Sequence, residues 1–425
     1  MSHLSRWALL RYGMFGLPLA FAGLPIYVHL PSYYHAVHAM DLALIGSVLL
    51  FVRLLDAVQD PLIGWAADRW PHYRKSAVLF CVLLLAGSYA ALFYPVALTG
   101  MGLTIWLSLC LILVYFAFSV LTILYSGLGV ELGGGDYHEN TRVTSAREGI
   151  MLAGVILAAV LPQILTKVYG MAQGFIWFSL MFTVTLAACA LPLLRMRQWN
   201  SVRILPAKAG MIQHTSWREC FSSPNRRWLF SLFFVNALPV ALTSNLFIFF
   251  VEDRLMAPQA TGYLLALYFL SAAVSVPFWS WITRHYGKRR PLQAAMVLAL
   301  GSFMWTYALG SGDVLSFAII CALSGIAVGG DVAILPSLLA DSLHHHPQIR
   351  SLAFGIWNFL TKLSLALAAG LSLPLLDQAG FQPSQFNHDA ALDSLSIAYA
   401  LVPCFLKLIA FILLSLSPID KRNVS

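Results

Sequence analysis

The stretch FVRLLDAVQDPLIGWAADRW, residues 51–70, decides how this chain folds. It closes the second apolar segment, yet it carries Arg53, Asp56 and Asp60. At about 100° per residue, positions 53, 56 and 60 fall within a narrow arc, so the three charges share one helix face. In a soluble helix that face would be the wet one. The rest of the chain argues otherwise. Of 425 residues, 59% are hydrophobic and only 10% charged, with a mean hydropathy of +0.77. A soluble domain of this size could not cover its surface with so little charge. The segment therefore reads as membrane-spanning. Each charge would cost roughly 2.5–3.5 kcal/mol at a bilayer centre, so the charged face must look into the protein.

A bilayer core needs roughly 20 apolar residues per helix, and such runs recur from end to end. They number about twelve on that length criterion. They centre on residues 10–34, 42–66, 77–98, 101–126, 146–170, 173–195, 228–251, 258–283, 291–310, 314–340, 351–378 and 392–417. Strong period-2 alternation is absent, which argues against a β-barrel. The longest polar stretch between helices, RMRQWNSVRILPAKAGMIQHTSWRECFSSPNRRW (195–228), falls near the middle of the chain. The expected organisation is an N-terminal six-helix bundle (1–195), a cytoplasmic central loop (196–227) and a C-terminal six-helix bundle (228–425). A weak repeat supports two related halves. DPLIGWAADRWPHYRK (60–75) and VPFWSWITRHYGKRR (276–290) both run apolar helix, short turn, basic cluster. Six plus six helices around a central loop is the arrangement of two-lobed secondary transporters, whose sites lie at the midplane.

The formal net charge of +8 could point to nucleic acid, but its placement does not. Most of the Lys and Arg fall in loops on the side that holds both termini, among them Arg69, Arg74, Lys75 and Arg142, while the opposite loops hold only Lys167 and Arg254. That asymmetry puts both termini in the cytoplasm. The opening MSHLSRWALLRYGMFG has no small-residue cleavage site, so the first helix is expected to be retained. The 6 cysteines are scattered without a CxxC pair, which argues against a zinc site or a disulfide framework. HExxH, GxSxG and Walker patterns are absent, and GLGVELGGG (127–135) follows no strand, so an enzyme is not expected. Transport would then draw on an ion gradient, with no cofactor beyond the coupling ion.

Asp56 and Asp60 sit one turn apart, and two such carboxylates cannot both ionise cheaply unless a cation lies between them. Pro61 cannot donate a hydrogen bond, so the carbonyl of Ala57 is available to an ion. This oxygen-rich set suits a proton or a hard cation such as sodium. The alternative is a static salt-bridge cluster, with Arg53 in a structural role. A buried Lys362, with Asn358 one turn before it, would need a carboxylate, and Asp56 or Asp60 is the natural partner. Lys407 is accounted for by snorkelling or packing.

These residues resemble a known group. RLLDAVQDPLIGWAADR (53–69) is similar to the helix 2 signature of the glycoside–pentoside–hexuronide:cation symporters, the melibiose permease-like family. Gly64, Asp68 and Arg69, followed by Arg74 and Lys75, resemble the cytoplasmic loop signature of the wider major facilitator superfamily. LYSGLGVELGGGDYHENTRVTSARE (124–148) and TKLSLALAAG (361–370) resemble further family segments, with Leu124 in place of a proline. The resemblance implies an all-α major facilitator fold and a cation site made by Asp56, Asp60 and Ser119. It also implies that Lys362 approaches that site and that Arg147 borders the substrate; Glu148 could instead neutralise Arg147. The galactoside carriers of the family grip sugar hydroxyls with aspartates on helices 1 and 4, and here those positions are Ala20 and Thr122. The chain therefore resembles a divergent branch.

Tyr27, Tyr125, Trp357 and Asn358 are further candidates to line a solute site, since aromatic faces stack on sugars. His29 reads either as a relay or as a packed residue near the outer end of helix 1, which Pro18, Pro25 and Pro31 loosen. Asp341 is within reach of Arg142 or Arg350, so a cytoplasmic gate is expected from Asp68, Arg69, Arg142, Asp341 and Arg350. The His344–His346 run reads as a solvated loop, and Asp331 has no assigned role. The expected protein is a monomeric carrier of a bacterial inner membrane. It would move a small solute, a sugar or glycoside, by symport with H+ or Na+. The competing reading is a lysolipid or amphiphile flippase or exporter of the same fold.

Overall fold

A computed structural model describes residues 4–94, 98–134, 136–196, 199, 217–381 and 387–416. Among them every regular element is a helix. The chain packs as two compact units, Met1–Cys220 with Leu343–Phe359, and Phe221–Ser342 with Leu360–Ser425. The expected loop 196–227 lies for the most part outside the described residues.

The first unit runs α1 (Arg6–Gly13), α2 (Gly16–Val28), α3 (Leu30–His38), α4 (Leu42–Arg69), α5 (Arg74–Phe93), α6 (Gly100–Gly133), α7 (Tyr137–Tyr169) and α8 (Met171–Leu194). The first expected span is not one helix but three. The breaks fall at Met14–Phe15 and at His29, just ahead of Pro18 and Pro31, which cannot supply the amide that continues a helix. Pro61 does not break α4, which continues through it to Arg69. The core of this unit is rich in aromatics. Phe93 stacks on Phe175 at 4.9 Å between centroids, and Tyr89 lies 4.3 Å from Phe182. Tyr33 and Tyr34 donate to the carbonyls of Phe93 and Leu92 at 2.7 and 2.9 Å. Those two carbonyls end α5 without helical partners, and the tyrosines satisfy them.

The second unit holds α10 (Pro224–Phe249), α11 (Thr261–Tyr286), α12 (Arg289–Tyr307), α13 (Val314–Ser342), α15 (Asp389–Ser396) and α16 (Val402–Leu416). The short α9 (Trp217–Ser222) ends inside it, and α14 (Arg350–Gln378) begins in the first unit and enters the second at Leu360. Its core stacks Phe250 on Tyr399 at 4.4 Å, with Phe317 5.3 Å from Phe250. Among the described residues, 9 helical stretches are long and apolar enough to cross a membrane. The other expected spans are the broken α1–α3, the charged α4 and the 19-residue α12. Large apolar side chains such as Val58, Leu83, Val274 and Leu315 stand exposed, as a lipid-facing surface requires.

Candidate functional site

The aspartate pair of α4 is buried. Asp56 is 3% exposed and Asp60 0%. Ser119 of α6 donates to Asp56 Oδ1 at 2.9 Å, and Gln59 Nε2 reaches the same oxygen at 2.8 Å. The expected trio of Asp56, Asp60 and Ser119 thus comes together as far as Asp56 and Ser119. The arrangement supplies a hydroxyl and carboxylate oxygens within an apolar span, a donor set suited to a proton or a hard monovalent cation. Arg53 departs from the expected inward face. It belongs to an exposed run, 53–55, whereas Val52, one turn before Asp56, is buried with the two aspartates. Lys362 is half-buried and belongs to the second unit.

Arg147 of α7 is 7% exposed. Its Nε and Nη2 donate to Glu148 Oε1 at 2.9 and 2.6 Å, and Nη1 donates to Ser126 Oγ at 2.9 Å. Its guanidinium lies 6.0 Å from the ring centroid of Phe354. Neutralisation by Glu148, the alternative open in the sequence, is therefore present. Beside it, Tyr125 and Tyr12 pack at 4.5 Å, and each hydroxyl donates to the other's carbonyl, at 2.8 and 3.1 Å. The Tyr125 hydroxyl is thereby engaged in holding α1 to α6. Thr122 turns its hydroxyl onto its own helix, donating to Phe118 at 2.8 Å. Ala20 is buried, in line with the close approach of Gly154 on α7. Trp357 is buried and Asn358 half-buried, both on the portion of α14 that belongs to the first unit. The side chain of Tyr27 lies outside the described residues, and His29 packs 5.9 Å from the Phe175 ring.

The charged end of α4 forms a second cluster. Asp68 accepts from the backbone amides of Ser351 and Leu352 at 3.0 and 2.8 Å, and from Arg74 Nη2 at 2.7 Å. Its carboxylate caps the first turn of α14, where amides lack helical acceptors and the helix dipole favours negative charge. Arg74 also reaches Glu131 at 3.1 Å, and Arg350 lies 3.5 Å from Glu131. Backbones touch beneath this cluster. A Cβ at Gly64 would collide with the Ser351 carbonyl, and one at Gly355 with the carbonyl of Asp60. Arg69 is exposed. Arg142 pairs with Glu139 at 2.5 Å and donates to the Leu4 carbonyl at 3.3 Å. In the second unit Asp341 accepts from Lys288 at 2.6 Å. Arg74 with Glu131 and Lys288 with Asp341 are thus counterparts, each joining a basic residue near the end of the repeated motif to an acid near the end of α6 or α13.

Sequence reasoning missed one buried pair. Lys407, ascribed above to snorkelling or packing, is 3% exposed and donates to Asp331 at 2.5 Å. Its stem is held inside the unit, so the ammonium cannot reach the polar interface that snorkelling requires. Charge balance was the available signal, because a lysine and an aspartate inside two apolar spans of one half each need a counter-charge.

Carboxylates buried in the apolar spans of a multi-pass helical membrane protein mark a functional site. The comparisons name the family. Residues 11–421 match the MFS/sugar transport protein family, and the chain belongs to it. This agrees with the resemblance carried by α4, α6, α7 and α14, and it identifies a transporter rather than an enzyme. The chain is 22% identical over 428 residues to an uncharacterized symporter, YnaJ, of Bacillus subtilis, covering 97% of this chain and 91% of that protein. It is 21% identical to the isoprimeverose transporter of Lactiplantibacillus pentosus, covering 88% and 81%. It is 27% identical over 162 residues to sodium-dependent lysophosphatidylcholine symporter 1 of Gallus gallus; that match covers 36% of this chain and 30% of the relative, less than a third of its length. Among solved structures, a bacterial homologue of the iron transporter ferroportin superposes with a TM-score of 0.70 at 16% identity, covering 97% of this chain and 100% of that one. That likeness bears on the fold.

Proposed function

We propose that this transporter is a symporter, taking up a small organic solute with H+ or Na+, and that a sugar or glycoside is the solute. One observation carries the coupling: Asp56 and Asp60 are buried one turn apart in an otherwise apolar helix, with the Ser119 hydroxyl 2.9 Å from Asp56. A cation binding there relieves the repulsion between the carboxylates. Solute binding is then favoured in the loaded carrier, and the coupling is a reciprocal free energy between the two sites. Asp68 and its partners serve as a latch on the start of α14. A bacterial inner membrane with both termini in the cytoplasm fits the charge asymmetry of the loops.

The isoprimeverose transporter supports the sugar reading over most of the chain. A lysolipid is the second reading. It is favoured by Ala20 and Thr122, which stand where galactoside carriers place aspartates, and by the shorter match to a lysophosphatidylcholine symporter.

The test uses purified protein in liposomes that report proton and sodium entry. Glycosides, uronic acids and lysophosphatidylcholine are added one at a time. Ion influx triggered by a glycoside, and lost in Asp56→Asn, is the expected result. A response to lysophosphatidylcholine alone would replace the sugar with a lysolipid, and solute uptake without any ion movement would overturn the symport reading.

A further inference from the structure

Asp331 sits near the middle of α13 and is 7% exposed. Lys407 of α16 donates to its Oδ2 at 2.5 Å, and Asn236 Nδ2 of α10 donates to the same oxygen at 3.0 Å. Three helices therefore meet at one carboxylate oxygen. The other oxygen, Oδ1, and the amide oxygen of Asn236 are both buried, and neither has a hydrogen-bond partner among the described residues. Buried acceptors without a donor are costly, and here two of them belong to side chains already joined through Nδ2 and Oδ2.

A proton on Oδ1 answers both deficits. It turns that oxygen into a donor, and a carboxylic acid already accepting from a primary amide can return an O–H···O bond to the amide oxygen. We infer that Asp331, Asn236 and Lys407 form a proton-binding site in the second unit, separate from the aspartate pair of α4. The proton adds to a lone pair of Oδ1, and no covalent bond breaks. Lys407 keeps its own three protons but loses its anionic partner. Loading thus changes a neutral pair into a buried site of charge +1, which favours movement of Lys407 toward another acceptor and loosens α16 from α13.

The other polar groups around Asp331 are phenols, thiols and distant helix-end charges. The Tyr268 phenol of α11 lies within electrostatic reach of Asp331 and of Cys321 on α13, and the Tyr399 phenol before α16 lies within reach of Cys321 and Tyr268. The Cys404 thiol of α16 is turned to the Leu300 carbonyl of α12 at 3.6 Å. The charged groups of α10, α11 and α12 stand at helix ends: Arg226 and Arg227, Arg284 and His285, Arg289 and Arg290. Lys288 and Asp341 pair at the far end of α13, ten residues from Asp331.

The inference rests on no part of the coupling proposed at Asp56 and Asp60, and the experiment separates them. Full-length protein in lipid nanodiscs is titrated while infrared difference spectra follow the carbonyl stretch of protonated carboxylic acid. The wild type is expected to show a pH-dependent band that Asp331→Asn removes and that Asp56→Asn and Asp60→Asn keep. Asp331→Asn alone leaves Lys407 unpaired and can fail to fold, so Asp331→Asn/Lys407→Met removes both charges together and should lose the same band. Lys407→Met alone keeps the acid and removes its cation, so the band should persist in that variant. A band that survives both Asp331 variants overturns the inference. So does a wild type without a titrating band, a band lost with Asp56 or Asp60 instead, or a band lost in Lys407→Met.

Discussion

The Asp68 carboxylate, at the end of α4, accepts the backbone amide of Leu352 at 2.8 Å and so caps a helix that lies 284 residues further along the chain. The neighbouring Ser351 amide and Arg74 complete its coordination. Asp68→Asn keeps the shape but replaces one acceptor oxygen with a donor facing backbone N–H groups, and it strips Arg74 of a counter-charge. The side chain is fully buried, so the cost should be about 2–3 kcal/mol. Thermal unfolding of the purified protein reads it directly. An Asp68→Asn variant as stable as the wild type would show that the cap contributes nothing.

Gly64 and Gly355 make a matched prediction. Each presents its bare Cα to the other strand of the contact, Gly64 to Ser351 and Leu352, Gly355 to Asp60 and Pro61. The atoms in the way are backbone, which cannot swing aside as a side chain can. Gly64→Ala and Gly355→Ala should each destabilise by about 1–3 kcal/mol through overpacking. Gly46, on the same α4, has open space where its Cβ would stand, so Gly46→Ala should be neutral or stabilising by up to about 1 kcal/mol. Equal melting of all three variants would refute the close approach.

This contact also shows what the sequence could and could not reveal. The fold class was legible because lipid leaves only helices or a closed barrel, and the absence of period-2 alternation leaves helices. The burial of Asp56 and Asp60 was legible for the opposite reason, as charges that composition makes costly, whereas Arg53, expected on the same inward face, is exposed. The cap on α14 was not, because helical periodicity says which face a residue takes but not which distant helix covers it. The three-way break of the first span was half legible, since Pro18 and Pro31 marked the weak points without saying that both would open. Asp331 and Lys407 were visible one at a time, and only the fold of the second unit shows them joined as an ion pair.

The aspartate site yields a graded expectation. Asp56→Asn and Asp60→Asn should each abolish accumulation driven by an ion gradient while leaving solute exchange measurable, because exchange needs no net ion movement. Ser119→Ala removes one neutral hydrogen bond to a buried carboxylate, worth about 1 kcal/mol or somewhat more. It should weaken apparent cation affinity about 5- to 20-fold without abolishing accumulation, a change of about 1–2 kcal/mol. Uptake against gradient by Asp56→Asn at wild-type level would remove α4 from the coupling mechanism.

Arg147 and Glu148 are neighbours in sequence whose side chains nonetheless fold onto each other, with one carboxylate oxygen shared by Nε and Nη2. That geometry stabilises the guanidinium among buried groups, and it also leaves Arg147 next to Phe354. Stability and transport, measured on the same variants, separate the two roles. In a double-mutant cycle, Arg147→Gln and Glu148→Gln should each destabilise, and the double variant should recover about 1–3 kcal/mol relative to the sum, as coupled buried partners do. Transport should follow Arg147 alone: lost in Arg147→Gln, still lost in the double variant, and retained in Glu148→Gln. If the double variant regains both stability and transport, the pair is only a brace between side chains of α7, and the solute-facing part assigned to Arg147 falls with it.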